Sequence, residues 1–210
     1  RNVLMKALKQ AADMGYVYQT GIELEFFLFQ HEHGRLAPLL PQDDASYFDM
    51  STDMSQSIRR QMLAALAQMN IRADSTHHEI GSGQHEIDFR YDAALKQADK
   101  ILISRVALKA VARRNNLHCT FMPRPSENLP GSGMHTHQSL HDVNTGENVF
   151  AYSGNEYGLS DTAKHFLAGQ LAHARAMCAV LSPLVNSYKR LGTSFEAPVY
   201  VTWSHINRAA

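Results

Sequence analysis

The chain has little of several features that mark particular protein classes. It has only two cysteines, Cys119 and Cys178, far apart and in apolar surroundings, so we expect two reduced thiols in a cytoplasmic protein. No apolar run is long enough to cross a bilayer, and the N-terminus lacks a secretory-signal pattern. Twenty basic side chains balance twenty acidic ones, so neither nucleic acid nor an anionic membrane is an expected partner.

The chain does have enough apolar sequence for a folded core. Hydrophobic residues make up 44% of the 210 residues and charged residues 19%, which is typical of a globular protein. A small molecule is the expected partner. Because the chain begins without Met and stops directly after an apolar run, we expect a piece of a longer protein.

Hydrophobic periodicity predicts both helices and strands. Predicted helices cover residues 3–14, 58–69, 94–115 and 160–181, and predicted strands cover 21–30, 71–80, 84–91, 117–122, 132–140 and 199–203. The apolar side of the longest helix is predicted to consist of Leu95, Ala98, Ile101, Leu102, Val106 and Val111. Because the strands come in neighbouring groups, we predict an α+β fold with a mainly antiparallel sheet backed by helices.

Two glutamates share one face of the first predicted strand. Glu23 and Glu25 lie opposite an apolar face and roughly 7 Å apart, because residues two apart in a strand point the same way. Carboxylates among apolar neighbours repel one another, and a bound cation relieves this cost most directly. Taken alone, such a pair is more often the polar face of an edge strand.

A second pair of glutamates flanks a glycine-rich turn. Residues 77–86 read His-His-Glu-Ile-Gly-Ser-Gly-Gln-His-Glu, so paired strands could aim Glu79 and Glu86 at one point. Carboxylates without sulfur ligands suit Mg²⁺ or Mn²⁺ better than zinc. The three histidines are predicted to pack beside the ligands.

A third segment carries polar side chains after two glycines. Residues 131–139 read Gly-Ser-Gly-Met-His-Thr-His-Gln-Ser, so His135, His137 and Ser139 share one strand face. One imidazole can bind a metal, while the other can contact phosphate together with the hydroxyl. Taken alone, this pattern also fits a polar surface strand. Further on, the charges at Lys189, Arg190 and Glu196 fit ordinary loop positions.

Together, residues 21–27, 77–86, 131–137 and 186–198 resemble the catalytic domain of the glutamine synthetase family. The resemblance spans nearly all 210 residues, and four motifs in one order are far more specific than any one. It implies a curved sheet that carries the active site. It also identifies residues 1–210 as a partial catalytic domain, with an N-terminal domain and the C-terminal part of the catalytic domain absent.

The resemblance implies a role for each site residue. Glu25, Glu79 and Glu86 would hold a first divalent metal, and Glu23 and His135 would hold a second. The second site needs a further glutamate that lies beyond this chain in the family. A complete site would hold two or three Mg²⁺ or Mn²⁺ ions.

For the substrates, the resemblance implies that Arg190 and the Gly131 backbone hold glutamate. Glu196 would bind the incoming ammonium and take its proton, and Arg208 would stabilise the transferring phosphate. The residues implied near ATP are His137, Ser139 and Tyr91. In the implied reaction, ATP phosphorylates the γ-carboxylate of glutamate, and ammonia attacks the acyl phosphate to give glutamine.

One position departs from the family pattern. Ammonia-using members commonly have Asn before the Gly-Ser-Gly-Met-His motif, and this chain has Pro130, which has no donor. A γ-glutamyl-amine ligase acting on polyamines or other amines is therefore the alternative reaction. A hypothesis from a different functional class is that the chain is a non-catalytic module for metal binding, nucleotide binding or assembly. The family forms double-ring homo-oligomers with sites between subunits, so we expect this chain to be inactive alone.

Overall fold

The computed structural model describes residues 1–38, 47, 53–192 and 197–205. These residues form two compact units. The first contains residues 1–20, 93–95 and 137 onward, and the second contains 21–92 and 96–136. No helix among the described residues is long and apolar enough to span a membrane.

Helices and strands alternate irregularly along the chain. The helices are α1 (Asn2–Asp13), α2 (Gln56–Gln68), α3 (Ala94–Arg114), α4 (Asp161–Leu181) and α5 (Val185–Arg190). The strands are β1 (Tyr16–Glu32), β2 (Arg35–Pro38), β3 (Ala73–His78), β4 (Gln84–Ala93), β5 (Leu117–Thr120) and β6 (Met134–Asp142). The predicted order of elements is therefore largely confirmed.

The strands form one sheet around β1. The order β2–β1–β4–β3 runs across the sheet, and β5 and β6 also pair with β1. The pairs β1–β2, β1–β5 and β3–β4 are antiparallel. This confirms the predicted α+β fold with a mainly antiparallel sheet.

The alternation of β1 determines where the site can lie. Its apolar side chains at positions 22, 24, 26 and 28 belong to the buried core together with Met62 and Leu66 of α2 and Leu108 of α3. Because successive strand residues point to opposite faces, this packing turns Glu23 and Glu25 to the other side of the sheet. Burial of the apolar face therefore places both carboxylates on the opposite face of the sheet.

Four local predictions need correction. Strand β1 begins at Tyr16, because the β-forming residues 16–20 extend it. Leu102 and Val106 are 64% and 71% exposed. Ala98 is exposed as well, so none of the three lies on the buried side of α3. That side instead includes the buried polar residues Gln97 and Ser104, which an apolar pattern cannot reveal.

The other two corrections concern the end of the chain. The charged residues Lys189 and Arg190, predicted to lie in a loop, belong to the last turn of α5. Residues 199–203, predicted as a strand, form none in the described part of the chain. Val199 and Val201 are exposed there, so their β-propensity is not reinforced by burial against a sheet.

Candidate metal centre and active site

The predicted metal ligands all belong to the second unit and lie close together. On β1 and β6, Glu23 Oε2 lies 3.1 Å and Glu25 Oε1 lies 4.0 Å from Nδ1 of His135. One ligand atom from each of Glu23, Glu86 and His135 lies within 4.8 Å of the others. Glu25, Glu79 and Glu86 are buried, so these carboxylates are poorly hydrated.

The β3–β4 hairpin places Glu79 and Glu86. Its register puts His77 opposite Glu86 and His78 opposite His85. The turn is closed by backbone hydrogen bonds of 2.8 Å, from Glu79 N to Gln84 O and from Gln84 N to Gly81 O. Gly83 has a φ of +72°, a conformation that glycine adopts without strain.

Negative charge is concentrated around Glu86. Burial, a hydrogen bond with Asp88 and the charges of Asp88, Glu25 and Glu79 raise the pKa of Glu86 well above its usual range. Beside it, Nε2 of His77 lies 2.9 Å from Glu79 Oε1 and 3.6 Å from Glu86 Oε1. The hydrogen bond with Glu79 raises the pKa of His77. Without a metal, the negative charge of the cluster is compensated by bound protons, and a bound cation could compensate it instead.

The segment 131–133 is fixed against Glu25. The backbone N–H of Gly133 donates to Glu25 Oε2 at 2.9 Å, and the N–H of Glu25 donates to the carbonyl of Gly133 at 3.2 Å. The N–H of Ser132 donates to Pro123 O at 2.9 Å. These bonds hold the glycine segment directly beside the carboxylate cluster.

Comparison with known proteins identifies the family. The family described as glutamine synthetase, catalytic domain, matches residues 1–210, the whole chain. The chain belongs to this family. It is 47% identical to the glutamine synthetase of Halobacterium salinarum and 45% identical to that of Thermus thermophilus, and each match covers all of this chain. It covers 46% and 47% of those relatives, so it spans about half their length.

Solved structures of the glutamine synthetase family have the same fold. Plasmodium falciparum glutamine synthetase matches with a TM-score of 0.80 at 29% identity, over 92% of this chain and 44% of that one. Ligand-free GmaS matches with a TM-score of 0.80 at 35% identity, over 89% and 44%. The GmaS/ADP complex has a TM-score of 0.81 at 33% identity, over 92% and 45%.

The donor set of this glutamine synthetase domain fits hard divalent cations. Four carboxylates and one imidazole converge with no thiolate among them, as Mg²⁺ or Mn²⁺ prefers. Glu25, Glu79 and Glu86 are buried, so water competes little with a cation for these three carboxylates, whereas Glu23 is half-buried and His135 is exposed. The division of the ligands between a first and a second metal remains a prediction.

The remaining predicted residues occupy several elements. His137 and Ser139 follow His135 on β6, and Ser139 Oγ lies 3.1 Å from His141 Nε2. Tyr91 is exposed on β4, and Arg190 ends α5 in the first unit. Glu196 and Arg208 lie outside the described residues. The roles proposed for these side chains remain predictions.

Sequence reasoning missed three residues that shape the cluster. Asp88 places a carboxylate oxygen within 4.8 Å of Glu86 and raises the pKa of Glu86, and its position two residues after Glu86 on one strand was the available signal. Gln84 contacts Glu25 from within the glycine-rich turn. Arg59 of α2, which contacts His85, had no signal because a helical arginine usually faces solvent.

Proposed function

We propose that this chain is the metal-binding part of an ATP-dependent ligase that forms glutamine from glutamate and ammonia through γ-glutamyl phosphate. The observation that carries the proposal is the convergence of four buried or half-buried glutamates with His135 in one unit. Family membership supports the same reaction class. The ADP complex of GmaS supports a nucleotide as substrate.

In this proposal the residues of the cluster hold two divalent cations. Glu25, Glu79 and Glu86 hold one, and Glu23 and His135 contribute to the other. Bound cations would neutralise the charge of the ATP phosphates. Fixed carboxylates suit phosphoryl transfer, which needs positioning and charge compensation more than a protein nucleophile.

The substrates are proposed to lie beside the cluster. The Gly131 backbone and Arg190 hold glutamate, and a guanidinium suits bidentate binding of a carboxylate. His137, Ser139 and Tyr91 contact the nucleotide. Glu196 receives the ammonium proton and Arg208 stabilises the transferring phosphate.

The complete activity is proposed for the whole protein. The relatives are about twice the length of this chain, and we propose that the full-length protein forms a homo-oligomer. The 210-residue chain is proposed to be inactive alone. Glutamine formation at an ordinary enzymatic rate by the purified chain would contradict this.

The decisive experiment measures phosphate release from ATP by the full-length protein with Mg²⁺ and glutamate. Ammonium, putrescine, spermine and ethanolamine are supplied in turn, and the product is identified by mass spectrometry. We expect release with ammonium and formation of glutamine. As a matched pair, Glu79→Gln should abolish release, while Glu147→Gln, at an exposed loop position, should not.

A γ-glutamyl-amine ligase is the second candidate, and Pro130 favours it. Pro130 packs over the hairpin turn, where a Cβ added to Gly81 would lie 2.8 Å from Pro130 Cγ. It therefore supplies an apolar surface where ammonia-using relatives commonly have an amide. Release only with a larger amine would establish this candidate, and Pro130→Asn should then change the preference among amines.

A metal-binding or assembly module without catalysis is the candidate from another class. It predicts that Mn²⁺ raises the melting temperature of the full-length protein while no amine supports phosphate release. Glutamate-dependent release would exclude it.

A further inference from the structure

Gln84 connects three segments of the candidate site from a fully enclosed position. It is 2% exposed at the start of β4. Its Oε1 accepts from the N–H of Gly81 at 3.1 Å. Its Nε2 donates to Glu25 Oε2 and to Gly131 O, each at 3.1 Å. One amide thus contacts the hairpin turn, the central strand and the glycine segment.

The surroundings of the Gln84 amide allow one orientation. Both groups facing Nε2 are acceptors, a carboxylate and a carbonyl, whereas the group facing Oε1 is a backbone donor. Rotating the amide by half a turn would set oxygen against oxygen at two contacts and nitrogen against N–H at the third. Because unpaired buried polar groups are costly, the amide is locked in place.

The contacts of Gln84 determine what its partners present. Oε2 of Glu25 receives two hydrogen bonds, from Gln84 and from the N–H of Gly133, while Oε1 faces His135 at 4.0 Å. The Gly131 carbonyl has two lone pairs, and Gln84 uses one of them. One oxygen of Glu25 is thereby anchored and the other is directed at the cluster.

We propose that Gln84 is a positioning residue that orients Glu25 for a metal and the Gly131 carbonyl for the amino group of glutamate. The inference rests on the proposed function for the roles of those two residues. It links cation binding and glutamate binding through one side chain. Neither glutamate nor methionine at position 84 could do the same, since one repels Glu25 and the other forms no hydrogen bonds.

The test measures Mn²⁺ binding to the full-length protein by electron paramagnetic resonance, without substrates. Gln84→Glu and Gln84→Met are compared with Gln61→Glu, which makes the same charge change at an exposed glutamine of α2. We expect one class of Mn²⁺ sites to weaken by about 10- to 100-fold in both Gln84 variants, as for residues that orient metal ligands. The second class and the Gln61 variant should bind as the wild type does.

A kinetic readout separates positioning from general loss of structure. With Mn²⁺ saturating, the KM for glutamate should rise in Gln84→Met while the KM for ATP stays unchanged. Wild-type Mn²⁺ affinity in a folded Gln84→Met protein would overturn the inference and leave the proposed function intact. If Gln84→Glu does not fold, the Mn²⁺ affinity of Gln84→Met alone tests the inference. Absence of Mn²⁺ binding by the wild type would refute the proposed metal site, and this inference with it.

Discussion

Glu86 and Asp88, two residues apart on β4, each place a carboxylate oxygen within 4.8 Å of the other. Burial of Glu86 and the nearby charge of Asp88 raise the pKa of Glu86. Metal-free protein therefore retains a proton at neutral pH where metal-bound protein would hold a carboxylate.

The stability of the metal-free chain is predicted to fall as the pH rises. The folded-state pKa of Glu86 is raised above the ordinary glutamate pKa. The contribution of Glu86 to folding stability is therefore fully present below that ordinary pKa and is lost as the pH rises through the folded-state pKa. Urea unfolding in the presence of a chelator from pH 5 to pH 9 measures this decline. Glu86→Gln should flatten it, whereas Glu147→Gln should leave the slope unchanged.

Mn²⁺ is predicted to reverse the decline. Binding needs ionised ligands, so it should release protons and stabilise the protein more at pH 8 than at pH 6. Calorimetric titration in buffers of different ionisation enthalpy counts the released protons. Equal Mn²⁺ affinity at both pH values would contradict the assignment of Glu86 as a ligand.

The buried ion pair of Arg59 and Asp53 is predicted to be essential for stability. Both side chains are 5% exposed, and Arg59 Nη1 also lies 3.1 Å from His85 Nδ1. Asp53→Ala leaves the guanidinium buried without its carboxylate and should lower the free energy of unfolding by about 3–5 kcal/mol. The double variant Asp53→Ala, Arg59→Met should lose less than Asp53→Ala alone.

An exposed ion pair provides the control for that experiment. Lys9 and Asp13 lie four residues apart on α1, with an Nζ to Oδ2 distance of 2.7 Å. Asp13→Ala should change the free energy of unfolding by less than about 1 kcal/mol, because solvent screens such pairs. Equal losses in Asp53→Ala and Asp13→Ala would contradict the role given to burial.

Gly81→Ala is predicted to disturb the site. Its Cβ would lie 2.7 Å from Gln84 Oε1 and 2.8 Å from Pro130 Cγ, so the amide or the proline must move. We expect lower thermal stability and weaker Mn²⁺ binding. Gly169→Ala in α4 meets no atom within 4 Å and should stabilise the helix by up to about 1 kcal/mol.

The two cysteines are predicted to differ in reactivity. Cys119 is 3% exposed, and burial raises the pKa of its thiol to about 12, whereas Cys178 is partly exposed on α4. Since the thiolate is the nucleophile, iodoacetamide at pH 8 should modify Cys178 and spare Cys119 in the folded 210-residue chain. Peptide mass mapping checks this, and modification of both should follow denaturation.

Part of the site can be predicted from local sequence patterns. The period of two in residues 22–28 separates an apolar face from Glu23 and Glu25, and that face packs in the core as predicted. The glycines at 81 and 83 indicated a turn between Glu79 and Glu86, and β3 and β4 pair across it. These features depend on residues close in sequence, so hydrophobic periodicity and turn-forming residues are enough to predict them.

The polar faces of the strands, the position of the hairpin turn and the residue types that could bind a cation can all be predicted from the amino-acid sequence. The contact of Gln84 with Glu25, 59 residues away, and that of Arg59 with His85 become visible only in the folded chain. The same holds for the burial of Gln97 and Ser104 on the inward side of α3. Hydrogen bonds and burial between distant segments depend on three-dimensional packing, so no periodic pattern in the sequence predicts them.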